Sequence, residues 1–167
     1  MHIHIHVTRF SSKTFEENYN FRNNKNIDCI YGSPIKISEN ILPNELIIVI
    51  EMNNSLNIIE GIGIIKNNYL KDEKKKYKIY SDNNYNRFVY TSKYRIDKNS
   101  FTNYEKKYIK ELENILFYSS KHFKRGHGIQ KLPKYIKYLK FNFNKFIETI
   151  YLSRFVNIKL KNIKILK

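Results

Sequence analysis

A chain of 167 residues is the length of one domain, and its 41% hydrophobic content, with 14 Tyr and 11 Phe, suffices for a core and excludes wholesale disorder. Thirty-one Lys and Arg against fifteen Asp and Glu leave a formal charge of +16; a body so charged repels itself and is relieved by a polyanion, first nucleic acid and then an anionic membrane surface. Cys29 is the single cysteine, which excludes an intramolecular disulfide framework and a cysteine zinc site.

No stretch approaches the ~18 uninterrupted apolar residues of a membrane span. Met1 to His6 has no apolar run of signal-peptide length, so the expected location is intracellular, in cytoplasm, nucleus or virion. The chain holds no Ala and is rich in Asn, Ile, Lys, Tyr and Phe, the usage of an AT-rich coding sequence. Such a bias raises Lys and Asn together and does not account for the shortage of acids.

His2 to Val7 alternate strictly, which predicts a strand with His2, His4 and His6 on a solvent-facing side and Ile3, Ile5 and Val7 on the other. Three imidazoles so spaced span roughly 13 Å and cannot share one metal ion without bending. Thr14 and Glu17 fit a capping box for a short helix to about Arg22. Tyr31-Gly32-Ser33-Pro34 reads as a turn. Glu45 to Met52 and Ile58 to Lys66 are apolar strands joined by Asn53-Asn54-Ser55-Leu56-Asn57, a hairpin. Gly61 and Gly63 inside the second strand predict a bulge, a bend, or close approach of another group.

Asn67 to Lys76 is a basic loop, followed by short strands at Tyr77 to Tyr80, Arg87 to Tyr90 and Tyr94 to Ile96. Thr102 and Glu105 form a second capping box, after which Tyr104, Tyr108, Ile109, Leu112, Ile115 and Leu116 recur at helical spacing. Ser119 to Leu132 is a basic loop, and Pro133 can open another helix with Phe143, Phe146, Ile147, Ile150 and Tyr151 on one face. Ile158 and Leu160 alternate with Lys159 and Lys161 as a final strand or basic tail. With neither repeat nor linker, the chain reads as a single α+β domain over residues 1–167. Its strands are adjacent in sequence, which argues for an antiparallel sheet or small barrel.

Two segments carry the functional expectation. The loop from Ser119 to Lys131 gathers Lys121, Lys124, Arg125 and Lys131 with His122, His127, Gly126 and Gly128. Its cations suit phosphates in solvent, its glycines let backbone N–H groups approach an anion, and Gln130 and the histidines can hydrogen-bond a base or sugar. In the second segment Tyr85, Arg87 and Arg95 interleave with Phe88, Tyr90 and Tyr94, a pattern for base stacking beside phosphate contact. Phe88 and Tyr90 share one strand face and read as core, leaving Tyr85 and Arg87 as the exposed pair.

An enzyme reading stays open beside this one. Ser119, Ser120 and Cys29 sit in no nucleophile motif, and Gly61-Ile62-Gly63 lacks the rest of a dinucleotide fingerprint. His122 and His127 are the candidate acid and base for a small nuclease or nucleotide-modifying hydrolase. A basic packaging protein without sequence preference is the third class. No cofactor or metal is expected.

The strand Leu46 to Met52, its Asn-Asn-Ser turn, the strand Glu60-Gly61-Ile62-Gly63-Ile64-Ile65, the short aromatic strands and the basic segment ending at Leu132-Pro133 together resemble the PUA-like superfamily, which includes the EVE, YTH and ASCH domains. The resemblance covers roughly residues 30–134. It implies a small bent antiparallel β-barrel with flanking helices and binding of nucleic acid, RNA ahead of DNA, with aromatic residues enclosing a modified base; the extended N-terminus and the C-terminal helix and basic tail at about 135–167 fall outside it. YTH domains build that cage with tryptophans; this chain has none, so a cage here uses Tyr or Phe. The residue usage, with Tyr31-Gly32-Ser33-Pro34 and Lys124-Arg125-Gly126-His127-Gly128, also resembles proteins of large AT-rich DNA viruses.

Overall fold

The alternating N-terminal segment forms strand β1, Ile3–Phe10, in the computed structural model, which describes residues 3–70, 77–133, 142, 145–146, 149–150 and 154. Helix α1 follows at Ser12–Lys25 and strand β2 at Cys29–Ser33. The expected hairpin is present as β3, Leu46–Asn53, and β4, Ile58–Lys66. Strands β5, Phe88–Ser92, and β6, Tyr94–Asp97, precede helix α2, Asn103–Glu113, which runs on as a π-helical turn over Asn114–Tyr118. Gln130–Lys131 form the short strand β7. The anticipated helix after Pro133 and the final basic strand fall largely outside the described residues, as do His2 and 71–76 of the first basic loop. Phe146 and Ile150 are described and buried in the core. Among the described residues no helix is long and apolar enough to cross a membrane.

The fold is α+β, with a five-stranded sheet in the order β6-β4-β3-β1-β7 and a two-stranded sheet of β2 and β5. The large sheet is mixed rather than wholly antiparallel. β1 lies parallel to β3, from Ile3 opposite Leu46 to Phe10 opposite Asn53, while its other pairs are antiparallel. A parallel pair needs a crossover of a dozen or more residues, and the segment holding α1 and β2 supplies it. No closed barrel forms among the described residues.

Both faces of the large sheet are covered. On one, Ile5, Val7, Ile50 and Ile62 pack against Ile109, Leu112 and Leu116 of the C-terminal helical segment. On the other, Ile47, Val49 and Ile65 meet Ile30, Tyr31 and Tyr90 of the small sheet. A strand covered on both sides reads as a continuous apolar run, and every residue of β3 is buried. The same burial corrects the solvent-facing histidines. His6 is 2% exposed, and burial, helped by His4 and Lys131, lowers its pKa to about 3. His4 is half-buried, its Nε2 3.1 Å from Glu45 Oε2.

Three local expectations change. The first capping box starts at Ser11, whose Oγ accepts from the Thr14 N–H, while Thr14 Oγ1 accepts from the Ser11 N–H. Thr14 thus occupies the third position of the helix, and Glu17 has no capping role. Tyr31-Gly32-Ser33 is strand rather than turn, with Pro34 just beyond its end. Tyr77 to Tyr80 form no strand; Asn86 substitutes for a neighbouring strand, its Oδ1 accepting from the N–H groups of Ile79 and Tyr80 at 3.0 and 2.9 Å and its Nδ2 donating to Tyr80 O. The second capping box, Thr102 with Glu105, is as expected.

The sheets are tied together by a buried polar cluster. Glu51 of β3, 1% exposed, accepts Nε and Nη2 of Arg95 at 2.8 and 2.7 Å and the Tyr31 hydroxyl at 2.6 Å. Arg95 Nη1 also donates to Asp97 at 3.0 Å. Burial raises the pKa of the Tyr31 hydroxyl well above the ordinary tyrosine value, so it stays a donor. The glycines of β4 make room for this cluster. A Cβ at Gly63 would lie 2.1 Å from Tyr31 Oη, and one at Gly61 2.8 Å from Arg95 Nη2. The expected close approach is therefore that of other protein groups: side chains at both glycines and, at Gly61, also the Ile96 carbonyl of β6, 2.7 Å from a Cβ there. The hairpin register also shifts at Glu51/Met52, opposite Gly61 and Ile59.

Removing one member of a buried ion pair strands the other charge, at a cost of about 3–5 kcal/mol. Arg95→Ala is expected to lower the unfolding free energy by that amount in urea titration. A loss below 1 kcal/mol would mean that Glu51 is satisfied without it.

Candidate nucleic-acid interface

The two segments singled out by sequence meet across one cleft of ≈ 370 Å³, within the size range of ligand sites. Tyr85 lines it together with Gly126, His127 and Gly128, and Tyr85 Oη lies 3.2 Å from His127 Nδ1.

Tyr85 is held by local turn chemistry. Asp82 Oδ1 accepts from the Asn84 N–H at 2.9 Å and caps the single 3-10 turn Asn83–Asn86. Asn86 clamps that turn to Ile79 and Tyr80. Tyr80 is 5% exposed, receives the amide of Asn18 on its hydroxyl at 3.1 Å, and meets the Tyr85 ring edge-on at 6.4 Å. The whole turn rests on Gly32 of β2, where a Cβ would stand 2.1 Å from Tyr85 O.

The basic loop is likewise built rather than slack. Arg9, at the end of β1, donates from Nε to Phe123 O at 2.8 Å and from Nη1 to Gln130 Oε1 at 3.1 Å, its guanidinium 4.3 Å from the centre of the Phe123 ring. From the β3–β4 turn, Asn54 donates to Lys124 O at 2.8 Å and Asn57 Oδ1 accepts the Lys124 ammonium at 2.7 Å. Gly126 and Gly128 have φ of +133° and +67°, conformations that favour glycine. Gly128 also sits against Ser33, whose Oγ would lie 2.3 Å from a Cβ there. The loop ends as β7 pairs with β1, Val7 opposite Gln130 and His6 opposite Lys131.

The predicted contact residues therefore divide. Lys121, Arg125, His127 and Lys131 are exposed, and so is Arg87, whose guanidinium lies 5.6 Å from the Phe88 ring. Tyr85, Gly126 and His127 line the cleft. Lys124, expected in solvent, is half-buried and bonded to Asn57, because the loop folds back on the hairpin turn. Gln130 is engaged by Arg9. Arg95 turns inward to Glu51, its side chain 6% exposed, and borders a second, polar cleft of ≈ 610 Å³ with Arg22 and Lys93. His122 is exposed but is not part of the first cleft's lining, so the two histidines of the enzyme reading do not converge there. Cys29 is fully buried, and burial, then Glu51, raises its thiol pKa to about 11, which leaves it a poor nucleophile. Among the described residues no group of three or more His, Cys, Asp or Glu is gathered to hold a metal ion.

Sequence reasoning missed Arg9, Glu17 and Asn54, which also line the cleft. Arg9 carried a readable signal, since it places a cation on the strand face begun by Ile3, Ile5 and Val7. Glu17 was absorbed into the wrong capping box, and Asn54 into turn chemistry.

No protein-family model, curated protein or solved structure matches the chain.

Gly32→Ala tests how the cleft is assembled. The added methyl has to displace the backbone at Tyr85, so a loss of about 1–3 kcal/mol is expected in urea unfolding, the range for overpacking. Stability equal to that of the parent chain would show that the Tyr85 turn does not rest on β2.

Proposed function

We propose that the protein is a nucleic-acid-binding module, RNA ahead of DNA, that takes one base into the cleft lined by Tyr85 and the Gly126-His127-Gly128 loop while phosphates meet Lys121, Arg125 and Lys131. The observation that carries this reading is the meeting of Tyr85 with the Gly126-His127-Gly128 loop at 3.2 Å, on a chain of charge +16. An aromatic ring in a cleft offers a stacking surface for a base. The exposed cations of the adjoining loop can position the backbone without reading sequence. The resemblance to PUA-like domains supports the same class, with a modified base as the ligand to try first. An intracellular location fits such a partner.

The alternatives differ in what they require of the same residues. A nuclease needs His127 to act on a bound strand, which cleavage of RNA lost on His127→Ala would reveal. A packaging protein needs only the cations. The reading proposed here predicts binding without cleavage, with an affinity that falls about a thousandfold between 50 and 200 mM salt for ~6 phosphate contacts.

The two walls of the cleft are expected to respond differently. Arg125→Ala should weaken binding to all sequences alike and reduce the salt slope by about one. Tyr85→Ala should cost ~1–3 kcal/mol on a preferred oligonucleotide, less on a scrambled one, and leave the slope unchanged. Fluorescence titrations of both variants at two salt concentrations check this. Salt-independent affinity, or none at low salt, would remove the reading. An equal loss on all sequences for Tyr85→Ala would favour the packaging alternative.

A further inference from the structure

Part of the cleft's lining does not suit a phosphate. Glu17 stands in its wall on α1, half-buried, and its Oε2 is closed to solvent without a donor among the described residues. Asn54, a second lining residue, gives its amide to Lys124 O, while its Oδ1 is also closed off without a donor. Asp82 adds a third acceptor, with one oxygen already used in capping Asn84. A carboxylate oxygen closed off without a donor is costly, and here it persists in a chain with twice as many cations as acids. A phosphate brought against these oxygens is repelled. A ligand edge carrying N–H donors is held.

Resting on the nucleic-acid reading above, we propose that the cleft selects guanine, with Glu17 accepting hydrogen bonds from its N1–H and its N2 amine together. A carboxylate is an acceptor-only group with two oxygens, able to take a bidentate donor. Guanine is the one common base whose pairing edge presents two adjacent N–H donors. Adenine and cytosine present one amine beside an acceptor nitrogen, and uracil one N–H flanked by two carbonyls. Each of these sets a lone pair against the second oxygen. The Glu17 side chain turns about sp³ bonds between staggered rotamers, so the oxygen now closed off can swing to the ligand edge. Tyr85 supplies the stacking surface. The cleft thus divides its work: acceptors read the base, and cations on the neighbouring loop hold the backbone.

The test measures anisotropy of labelled RNA pentamers of uridine whose central position is G, inosine, A, C or U, at one low salt concentration, with the parent chain and with Glu17→Gln. The G pentamer is expected to bind at least about tenfold tighter than those with A, C or U, within the discrimination of one bidentate contact. Inosine keeps N1–H and lacks the amine, so it should fall between. Glu17→Gln should bring G down to the level of the others. Equal binding of all five pentamers by the parent chain overturns the guanine assignment and leaves the binding reading standing. A G preference retained in folded Glu17→Gln overturns the role of Glu17. Absence of binding to every pentamer overturns the functional reading and the assignment with it. If circular dichroism shows that Glu17→Gln does not fold, comparison of inosine with G on the parent chain decides: equal affinity overturns the two-donor contact, and weaker inosine binding supports it.

Discussion

The contact of Tyr31 and Arg95 with Glu51 is the constraint on which the arrangement of this molecule turns. A carboxylate in the middle of a fully buried strand is tolerable only if its oxygens are occupied, and here they accept two guanidinium N–H groups and a phenol. The phenol has room to reach them because β4 carries glycine at position 63, and the guanidinium because it carries glycine at position 61. Tyr31 belongs to the small sheet, Glu51 and Arg95 to the large one, so this cluster fixes one sheet on the other. Removing either glycine, the acid or the arginine disturbs the same joint.

What the joint positions is β2, and β2 bears the cleft. Immediately after Tyr31, Gly32 receives the turn that carries Tyr85, and Ser33 abuts Gly128 of the basic loop. Three consecutive residues therefore link the inter-sheet cluster to both walls. On the far side of the loop, Arg9 holds Phe123 O and Gln130, and the hairpin turn holds Lys124. The loop's other cations, Lys121, Arg125 and Lys131, are left at the surface. A segment that looks in sequence like a solvated connector is thereby an ordered rim beside a cavity.

Much of this was legible in the residues, and the failures have physical causes. The β3–β4 hairpin and α2 were readable because apolar period and turn or capping chemistry agree there. Gly61 and Gly63 announced a close approach but not of what, since the partners, Arg95 and Ile96 for the first and Tyr31 for the second, are distant in sequence. The strand β2 was read as a turn because Gly-Ser-Pro is turn chemistry locally, whereas Gly32 serves packing against Tyr85. His4 and His6 were placed in solvent because alternation shows two faces but not what covers each; β3 and β7 flank β1, and the small sheet lies over its histidine side. Tyr85 and the Gly126-His127-Gly128 loop were each recognised as candidates, but no local pattern could bring together residues so far apart in the chain. Arg95 looked like a contact residue by its aromatic neighbours, and only the buried Glu51 explains its inward turn.

The claim that base and backbone meet at the cleft between Tyr85 and the Gly126-His127-Gly128 loop is tested most directly by amide chemical-shift mapping. The ¹⁵N-labelled chain would be titrated with a short single-stranded RNA at low salt. The account predicts that the largest shifts cluster at Gly32, Asn84 to Asn86 and Arg125 to Gly128, with the α2 amides unmoved. Shifts centred on the cleft beside Arg22 and Lys93, or spread evenly over exposed lysines, would contradict it.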